Sequence, residues 1–372
     1  MNILYLLDNP QLYGSEMHLF DVLTYMGKKN TVFLITFRHG PLIQKIKELE
    51  NIQICLIPSG YVVTKKVLKD LVNIIHTKQI QVIHAHQPKA IFIGTFIKKK
   101  CNIPLVSTVH SQPIDHALVC KGFRKIIVYW FHSFISYWGQ RNSDKNIFVS
   151  RVMLSNAKFP NKSVLIYNWL RPSIRQTAPA AKYLQNNKKI TFICCGSVTY
   201  NKGFDVLLDF VQKLMFANIH NFEVKVAGGV DKDFWMYLQK SYPSEIFNRI
   251  IVLGYIEDIS SVYDGADFFV LFSRAETFGL ACIEGMSFGL PVIASDLPVF
   301  HEIIPQENCI SNNLEDAVNF VYRLLNNEIE YNFVSKINKN WTSRNFSFHK
   351  SMRQLEVVYK ELVCNANKTQ CL

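Results

Sequence analysis

Short runs of apolar residues alternate along the chain with longer stretches in which apolar residues recur at helical spacing. The apolar runs are rich in β-branched residues, which is typical of buried strands, and the stretches between them are typical of amphipathic helices. This alternation predicts parallel sheets covered by helices on both faces. In the first half the predicted strands are residues 3–7, 31–37, 52–57, 82–85, 105–109, 146–149 and 164–167; in the second half they are residues 190–195, 223–227, 250–253, 268–272 and 292–294.

The length and one polar segment indicate two domains. The chain has 372 residues, and a domain usually takes about 150. Pro172 and Pro179 lie in a polar stretch without a helical period, which predicts a linker. The predicted fold class is α/β, with two doubly wound parallel-sheet domains facing a central cleft, because open α/β sheets bind ligands beyond the carboxyl ends of their strands. The predicted parts are an N-terminal domain (1–170), the linker (171–187), a C-terminal domain (188–347), and a last helix (348–372) that packs toward the N-terminal domain and ends in a frayed tail (365–372).

The chain carries an excess of positive charge. Lys and Arg number 41 against 29 Asp and Glu, which gives a formal net charge of +12, and apolar residues make up 49%. This composition is typical of a folded globular protein rather than a disordered or fibrous one. The charge indicates an anionic partner (nucleic acid, anionic lipid or a phosphorylated substrate) or simply a basic solvated surface. Composition alone does not distinguish between these three partners and the solvated surface.

Cysteine usage and hydropathy indicate a reducing compartment. None of the nine cysteines forms a C-x-x-C pair, which argues against a disulfide framework and against a zinc site. The chain begins without the basic start of a signal peptide. No stretch reaches the length of a spanning helix, which is about 18 apolar residues. We therefore expect a cytoplasmic protein that can lie on the inner face of a membrane without crossing it.

Residues 267–296 carry the most specific pattern in the chain. They are predicted to form a strand, a loop with Glu276, a helix that begins near Gly279 and contains Glu284, and a second strand. Because a helix N-terminus attracts anions and glycine permits close approach, Gly279 marks an anion site. The helix separates Gly279 from Glu284 by about 7.5 Å, so the two carboxylates can bracket a phosphate group and accept hydrogen bonds from hydroxyls. A ligand with hydroxyls on both sides of a diphosphate is a nucleotide sugar.

Glu276 and Glu284, followed by Gly-Met-Ser-Phe-Gly-Leu-Pro-Val-Ile-Ala-Ser, resemble the E-x7-E motif of retaining glycosyltransferases with the GT-B fold. The motif is similar to that of the family described as glycosyl transferases group 1. The resemblance implies that Glu284 binds the ribose of the nucleotide and that Glu276 binds hydroxyls of the transferred sugar. It also implies that the backbone amides of Phe278, Gly279 and Leu280 face the donor sugar and the diphosphate.

Residues 195–205 resemble the family segment that supplies an Arg and a Lys to the diphosphate. Lys202 matches the Lys and is followed by glycine, whereas Ser197 stands where the family has Arg. Ser197 can donate one hydrogen bond at that position, and Arg274 is a candidate source of the missing charge. The alternative for Lys202 is a solvated loop lysine before a helix.

In the first half, Gly14 and His110 carry weaker resemblances. Gly14 ends the loop after the first strand, where the family usually has two glycines, and such a loop can approach a phosphate. His110 ends the fifth strand, where family members have a histidine that reaches the donor sugar near the reacting carbon; a structural histidine is the alternative. His84 and His86 share one face of the preceding strand, but no carboxylate or cysteine accompanies them, which argues against a metal site. Residues 231–233 form an Asp-x-Asp triplet, for which we expect a capping or surface role.

Residues 121–141 have basic ends and an aromatic middle. Such a segment is either an interfacial helix held by anionic lipid or a buried helix with solvated ends. The resemblance favours contact with an anionic membrane, because the family often acts on lipid-linked acceptors.

The resemblance implies a retaining hexosyltransferase (EC 2.4) that moves a sugar from a nucleotide sugar to a saccharide or lipid-linked acceptor. A UDP-sugar is the expected donor, a GDP-sugar is the alternative, and bacterial surface polysaccharide or lipopolysaccharide synthesis is the expected setting. His110, Lys202 and Glu276 are the expected catalytic residues, and neither a metal nor another cofactor is expected. The alternatives are another GT-B activity (a phosphorylase or an epimerase), a weakly active glycosyltransferase-like binding protein, and a nucleic-acid or anionic-surface binder. We expect no nucleic-acid partner, because the Lys and Arg residues are dispersed along the chain.

Overall fold

The computed structural model describes residues 1–59, 63–114, 122–174 and 189–370. The chain divides into two compact units. Unit 1 comprises Met1–Asn168 and Phe348–Leu372, and unit 2 comprises Trp169–Ser347. Most of the predicted linker, from residue 175 to residue 187, lies outside the described residues.

Unit 1 is built on a sheet of seven strands: β1 (Asn2–Leu7), β2 (Thr31–Thr36), β3 (Ile52–Leu56), β4 (Val82–His86), β5 (Leu105–Val109), β6 (Lys145–Phe148) and β7 (Ser163–Leu165). All are parallel, in the order β3-β2-β1-β4-β5-β6-β7. The helices between them are α1 (Gly14–Met26), α2 (Leu42–Lys47), α3 (Lys65–Thr77), α4 (Pro88–Cys101), α5 (Phe123–Asn142) and α6 (Arg151–Ser155), with a 3₁₀ turn at Pro160–Lys162.

Unit 2 repeats this architecture with six strands: β8 (Ile190–Cys195), β9 (Phe222–Ala227), β10 (Ile250–Gly254), β11 (Phe268–Leu271), β12 (Val292–Ala294) and β13 (Cys309–Ile310). They are parallel, in the order β10-β9-β8-β11-β12-β13. Its helices are α7 (Phe204–Phe216), α8 (Lys232–Ser241), α9 (Ser244–Phe247), α10 (Ser260–Asp264), α11 (Leu280–Ser287), α12 (Pro298–Ile303), α13 (Leu314–Leu325) and α14 (Glu328–Asn345).

The central strand β1 shows why the strands have continuous apolar sequences. Residues 3–7 are at most 1% exposed. Leu4 and Leu6 belong to a core that also contains residues of α3 and α4, whereas Tyr5 points to the opposite face of the sheet. Both faces are therefore covered, and every position along the strand must be apolar or paired. The predicted strands and the α/β fold class are confirmed; only β13, which has two residues, was not predicted.

The last helix, α15 (Phe348–Gln370), belongs to unit 1. The hydroxyl of Tyr359 lies 3.0 Å from that of Tyr5 and 2.5 Å from Nδ1 of His84. The helix continues to Gln370, so the expected frayed tail after residue 364 is wrong for this part of the chain. The reason is that this stretch, Asn-Ala-Asn-Lys-Thr-Gln, contains neither Gly nor Pro to end a helix.

Helix α5 is attached at its C-terminal end and exposed over most of its length. Nε1 of Trp138 donates to the hydroxyl of Thr95 on α4 at 3.1 Å, and Gly139 packs directly on Ile91. Large apolar side chains earlier in the helix are 39% to 74% exposed: Phe123, Ile126, Ile127, Tyr129, Trp130, Phe131, Phe134 and Tyr137. The alternative of a buried helix with solvated ends is therefore wrong. Among the helices that the structure describes, none is long and apolar enough to cross a membrane.

Gly203, the residue before α7, is required by a close approach of the backbone. Its φ is +62°, and a Cβ atom there would lie 1.8 Å from the carbonyl oxygen of Phe272. Any side chain would push the loop after β8 away from the loop after β11. The glycine thus brings these two loops together.

We expect Gly203→Ala to lower the free energy of unfolding of unit 2 by about 3 kcal/mol or more, because a left-handed conformation and an overpacked contact add up. The matched control is Gly254→Ala, since Gly254 has φ +71° but nothing within 4 Å of its added Cβ. The control should cost only about 1 kcal/mol. Urea unfolding of both variants measures the difference, and equal losses would contradict the close-approach explanation.

Candidate functional site

Two loops of unit 2 start at the same edge of the sheet. Strands β8 and β11 are parallel neighbours, so their carboxyl ends meet at one edge, where α/β proteins bind ligands. The loop after β8 carries Ser197 and Lys202, and the loop after β11 carries Glu276. Lys202 and Glu276 are 74 residues apart in sequence, and the sheet brings them into contact.

Lys202 and Glu276 form an ion pair. Nζ of Lys202 donates to Oε1 of Glu276 at 2.5 Å, and the Ser273 hydroxyl donates to the same oxygen at 3.0 Å. Burial works to lower the pKa of Lys202, but the charge of Glu276 and its hydrogen bond more than offset this, so the pKa is raised. Lys202 is therefore protonated at neutral pH and provides a fixed positive charge. Because it is paired and partly buried, it is not the solvated loop lysine of the alternative interpretation.

Helix α11 begins beside this pair, directly after Gly279. Gly279 has φ +92°, and a Cβ atom there would lie 2.9 Å from Phe300 and 3.1 Å from Ile303, so the position requires glycine. The N–H groups in the first turn of a helix point outward along the axis and attract anions. Phe278, Gly279 and Leu280 thus stand where the loop becomes a helix, as the sequence predicted.

Glu284 lies on the second turn of α11 and is only 6% exposed. Nε of Arg171 donates to its Oε1 at 2.7 Å, and the hydroxyl of Tyr263 donates to its Oε2 at 3.0 Å. Burial and the neighbouring Cys195 and Glu284 raise the pKa of Tyr263, so its hydroxyl stays protonated and remains a donor. Sequence analysis does not find Arg171 or Tyr263, because neither lies in a recognised motif.

Arg274 lies in the loop after β11 and bonds to the start of α7 and to the loop before that helix. Its guanidinium donates to both carboxylate oxygens of Asp205, at 2.8 and 2.6 Å, and to the carbonyl of Tyr200 at 2.6 Å. Its Cζ also lies 3.8 Å from the centre of the Tyr200 ring. The charge of Arg274 therefore neutralises Asp205. Its expected contribution to the anion site stays a prediction, and so does the hydrogen bond expected from Ser197.

Four histidines meet near the carboxyl ends of β4 and β5 in unit 1. Nδ1 of His86 lies 3.0 Å from Nε2 of His110, and the ring centres of His18 and His110 are 4.9 Å apart. The ring of His84 is 4.3 Å from that of His86. His110 is thus one member of a buried cluster, and its expected contact with a donor sugar stays a prediction.

Burial lowers the pKa of every histidine in this cluster. It lowers the pKa of His84 to about 3 and that of His110 to about 4. The pKa values of His18 and His86 are also lowered, by burial first and then by repulsion from neighbouring histidines. All four rings are therefore neutral at pH 7. A neutral imidazole offers one donor and one acceptor, which suits it to hydroxyl ligands.

A surface pocket of unit 1 opens beside His110. The end of β5, the start of α4 and one side of α5 form its wall. Its lining combines polar side chains, among them Gln87, Ser107, Gln112, His132, Ser136 and Gln140, with the apolar side chains of Ile91, Val109 and Ile135. In such a mixed lining the polar side chains can bond to hydroxyl groups of a ligand while the apolar side chains contact its carbon atoms.

Gly14 begins α1, after the loop that follows β1. Gln87 holds this loop against β4: its Oε1 accepts from the backbone N–H groups of Asp8 and Asn9 at 3.1 and 2.8 Å, and its Nε2 donates to Glu16 at 2.7 Å. Gly14 is therefore placed at a helix N-terminus, as predicted. A contact with phosphate stays a prediction.

The Asp-x-Asp triplet has a structural role. The carboxylate of Asp231 accepts hydrogen bonds from the backbone N–H groups of Asp233 and Phe234, both at 3.1 Å, and so caps α8. This confirms the expected cap. Across the described ranges of the chain, no group of three or more His, Cys, Asp or Glu side chains is arranged to hold a metal ion.

Comparison with protein families matches both halves of the chain. Residues 176–341 match the model described as glycosyl transferases group 1. Residues 13–173 match the model described as glycosyltransferase family 4. The two matches are complementary and meet near the boundary between units 1 and 2.

Individual relatives agree with these matches. An uncharacterized glycosyltransferase of Methanocaldococcus jannaschii is 28% identical over 299 residues, which cover 78% of each chain. The UDP-Gal:alpha-D-GlcNAc-diphosphoundecaprenol alpha-1,3-galactosyltransferase of Escherichia coli is 22% identical over 81% of this chain and 80% of its own length. Among solved structures, Anabaena HepE in complex with UDP and glucose has a TM-score of 0.80 at 16% identity, covering 97% of this chain and 100% of that one. At that identity the structural likeness shows the GT-B fold alone.

We expect the stability of unit 1 to fall as the pH drops from about 6.5 toward 4. Unfolded histidines bind protons near pH 6.5, whereas His84 and His110 in the folded unit have pKa values of about 3 and about 4. The unfolded state therefore binds more protons in this window, and the free energy of unfolding falls by up to about 1.4 kcal/mol per pH unit for each group. This stability is fully present above pH 6.5. Urea unfolding at several pH values measures the slope.

The control for this slope is a pair of single variants. His84→Gln removes one of the shifted groups, so its stability should depend less steeply on pH, whatever its stability at pH 7. His220→Gln removes an exposed histidine of unit 2 and should leave the slope unchanged. Equal slopes in the wild type and in His84→Gln would show that burial of His84 is not a source of the pH dependence.

Proposed function

The chain belongs to the glycosyl transferases group 1 family, and on this premise we propose that it transfers a hexose from a nucleotide sugar to a saccharide or lipid-linked acceptor. We further propose a UDP-sugar as donor, retention of the anomeric configuration, and a role on the cytoplasmic side in bacterial surface polysaccharide or lipopolysaccharide synthesis. The UDP and glucose bound by HepE support the donor. The name of the Escherichia coli relative, which gives a UDP-sugar donor and a lipid diphosphate acceptor, supports both substrates.

One observation carries the proposal: three features converge at one edge of the unit 2 sheet. They are the Lys202–Glu276 pair, the N-terminus of α11, and Glu284 on its second turn. A diphosphate at this edge is attracted both by Lys202 and by the helix. The carboxylate of Glu284 is suited to accept hydrogen bonds from ribose, and that of Glu276 from hydroxyls of the sugar.

In the proposed reaction the bond between the anomeric carbon and the diphosphate oxygen breaks, and the diphosphate leaves with the electron pair. The sugar becomes oxocarbenium-like, and an acceptor hydroxyl bonds to the anomeric carbon on the same face and passes its proton to the departing diphosphate. Lys202 and the start of α11 stabilise the negative charge that grows on the leaving group. In this proposal the protein orients the substrates and stabilises charge, and the reaction needs no metal ion.

We propose that α5 provides the contact with an anionic membrane. Five of its exposed apolar side chains recur at intervals of three and four residues and so form one face of the helix: Phe123, Ile127, Trp130, Phe134 and Tyr137. Arg124, Lys125 and Arg141 give the helix basic ends, and its sequence contains no Asp or Glu. A helix of this kind lies in the interface, with its apolar face among the lipids and its basic residues at anionic headgroups.

The position of α5 also supports a lipid-linked acceptor. His132 and Ser136 of α5 line the pocket beside His110, while Trp130 and Phe134 of the same helix are 68% and 57% exposed. One helix thus carries an exposed apolar surface and, beside it, polar side chains that line a pocket. A lipid-linked acceptor fits this arrangement, with its lipid in the membrane and its polar group near the pocket.

We expect nucleotide binding and transfer to depend on the residues at the unit 2 edge. A donor nucleotide should raise the melting temperature by mass action, and Glu284→Ala should abolish the shift by removing the ribose contact. Lys202→Ala and Glu276→Ala should each lower the rate of sugar transfer by about 10²–10³. Thermal shift and calorimetry with UDP, GDP, ADP and their common sugars, without added metal, identify the donor, and a transfer assay then gives the rates.

Exposed Lys240 offers the matched control, because Lys240→Ala should leave binding and transfer unchanged. Turnover near the wild-type rate in Lys202→Ala or in Glu276→Ala would contradict the role of that residue. If the wild type bound no nucleotide, the weakly active binding protein would replace the transferase. Product analysis with and without an acceptor separates the transferase from a phosphorylase or an epimerase.

We expect the double substitution Trp130→Ser with Phe134→Ser to weaken binding to vesicles that contain phosphatidylglycerol at least tenfold. Burying each aromatic side chain is worth about 1.5–3 kcal/mol, so loss of two has a large effect. Co-sedimentation at increasing salt measures binding, and neutral phosphatidylcholine vesicles should bind less. The control is Phe216→Ser with Phe333→Ser, two exposed aromatic residues of unit 2. Vesicle binding unchanged by the α5 substitutions, or loss of self-association instead, would refute the membrane contact.

A further inference from the structure

The proposed donor site at the edge of the unit 2 sheet has few positive groups for binding a diphosphate. Ser197 stands where the resembled family has Arg, and Arg274 neutralises Asp205 through two hydrogen bonds. Lys202 is paired with Glu276. A nucleoside diphosphate carries at least two negative charges. Of the groups named so far, only Lys202 and one helix N-terminus would attract it.

Arg171 brings a further positive charge to the same place. Its Nε donates to Oε1 of Glu284 at 2.7 Å, and its side chain is 18% exposed while that of Glu284 is 8% exposed. The charge of Arg171 also acts on the thiol of Cys195, whose pKa burial raises and Arg171 partly lowers. Cys195 ends β8, two residues before Ser197. Arg171 is therefore close to the loop that lacks the family arginine, although it comes from a different part of the sequence.

Resting on the nucleotide-sugar function proposed above, we propose that Arg171 binds the donor diphosphate and takes the place of the arginine that Ser197 replaces. A guanidinium has five N–H donors in a planar fork, so one edge can hold a carboxylate while another holds a phosphate. The carboxylate of Glu284 has lone pairs for about four hydrogen bonds. It can therefore keep Arg171 and Tyr263 as donors and still accept hydroxyls of the ribose.

The pairing of charges in the site supports this assignment. Lys202 neutralises Glu276, and Arg171 neutralises Glu284. Without Arg171, the carboxylate of Glu284 would repel an incoming diphosphate. With Arg171, the same carboxylate is available to hydroxyls while the guanidinium attracts the phosphates. Arg171 thus acts on the diphosphate, and its effect should depend on how many phosphates the ligand carries.

Calorimetry with UDP and with uridine tests this proposal on the full chain, with GDP and guanosine or ADP and adenosine if UDP does not bind. Arg171→Met should weaken binding of the diphosphate about 10- to 100-fold, the effect of one charge-assisted hydrogen bond. The same variant should change binding of the nucleoside by less than about threefold, because the nucleoside has no phosphate. Arg171→Lys keeps the charge without the fork and should fall between the wild type and Arg171→Met.

The matched control is Arg323→Met, which removes another arginine of unit 2 that is paired with a glutamate and should change diphosphate binding by less than about threefold. If Arg171 acts only through Glu284, Arg171→Met either weakens nucleoside and diphosphate equally or loses its effect on the diphosphate in a Glu284→Gln background. Either result overturns the proposal while the proposed function stands. Unchanged diphosphate binding in Arg171→Met, or an equal loss in Arg323→Met, also overturns it. If the wild type binds none of the three diphosphates, the proposed function and this inference both fail. Circular dichroism and the melting temperature show whether each variant is folded, and Arg171→Lys decides the question if Arg171→Met is not.

Discussion

The parallel pairing of β8 with β11 is the constraint on which the candidate donor site depends. Parallel strands end at the same edge of the sheet, so the loops that follow them lie side by side. Strand pairing alone therefore brings together two segments that are distant in sequence. Gly203 then lets the two loops approach, since any side chain there would collide with the carbonyl of Phe272. The ion pair of Lys202 with Glu276 is a consequence of this arrangement, because the backbones of the two loops place the two side chains within reach of each other.

The second feature of the site is that its acidic and basic groups are matched one to one. Glu276 pairs with Lys202, Glu284 pairs with Arg171, and nearby Asp205 pairs with Arg274. Partly buried charges are costly unless they are paired, which explains why each carboxylate has a cation. A further consequence concerns ligands. A site of paired charges can accept an anion near its cations and hydroxyls near its carboxylates, which a site of unpaired carboxylates cannot do.

Local patterns predicted most of the fold and part of the site. Strands buried on both faces are continuous apolar runs, and the motif around Glu276, Gly279 and Glu284 lies within one strand–loop–helix segment. Arg171 could not be found in this way, because it contacts Glu284 across 113 residues and its own surroundings form a polar linker. For α5 the sequence showed an aromatic middle between basic ends, which is expected both of a buried helix and of an interfacial one. Only the exposure of the side chains in the structure distinguishes the two. The frayed tail expected at the end of α15 is helical as far as Gln370, because polar residues can continue a helix as well as end it.

The histidine cluster of unit 1 shows how the last helix can affect a residue far from it in sequence. His84 bonds to Tyr359 of α15 through Nδ1 and to Thr108 through Nε2, so both of its ring nitrogens are occupied. A neutral imidazole has one donor and one acceptor. In the contact between Nδ1 of His86 and Nε2 of His110, one ring must therefore donate and the other accept. The tautomer of His110 is thus coupled to that of His86, whose ring packs on His84. Low pKa values keep these rings neutral, so the hydrogen bond from α15 acts on the orientation of the His84 ring rather than on its charge. The contacts from His84 to His86 and from His86 to His110 connect that ring to the pocket.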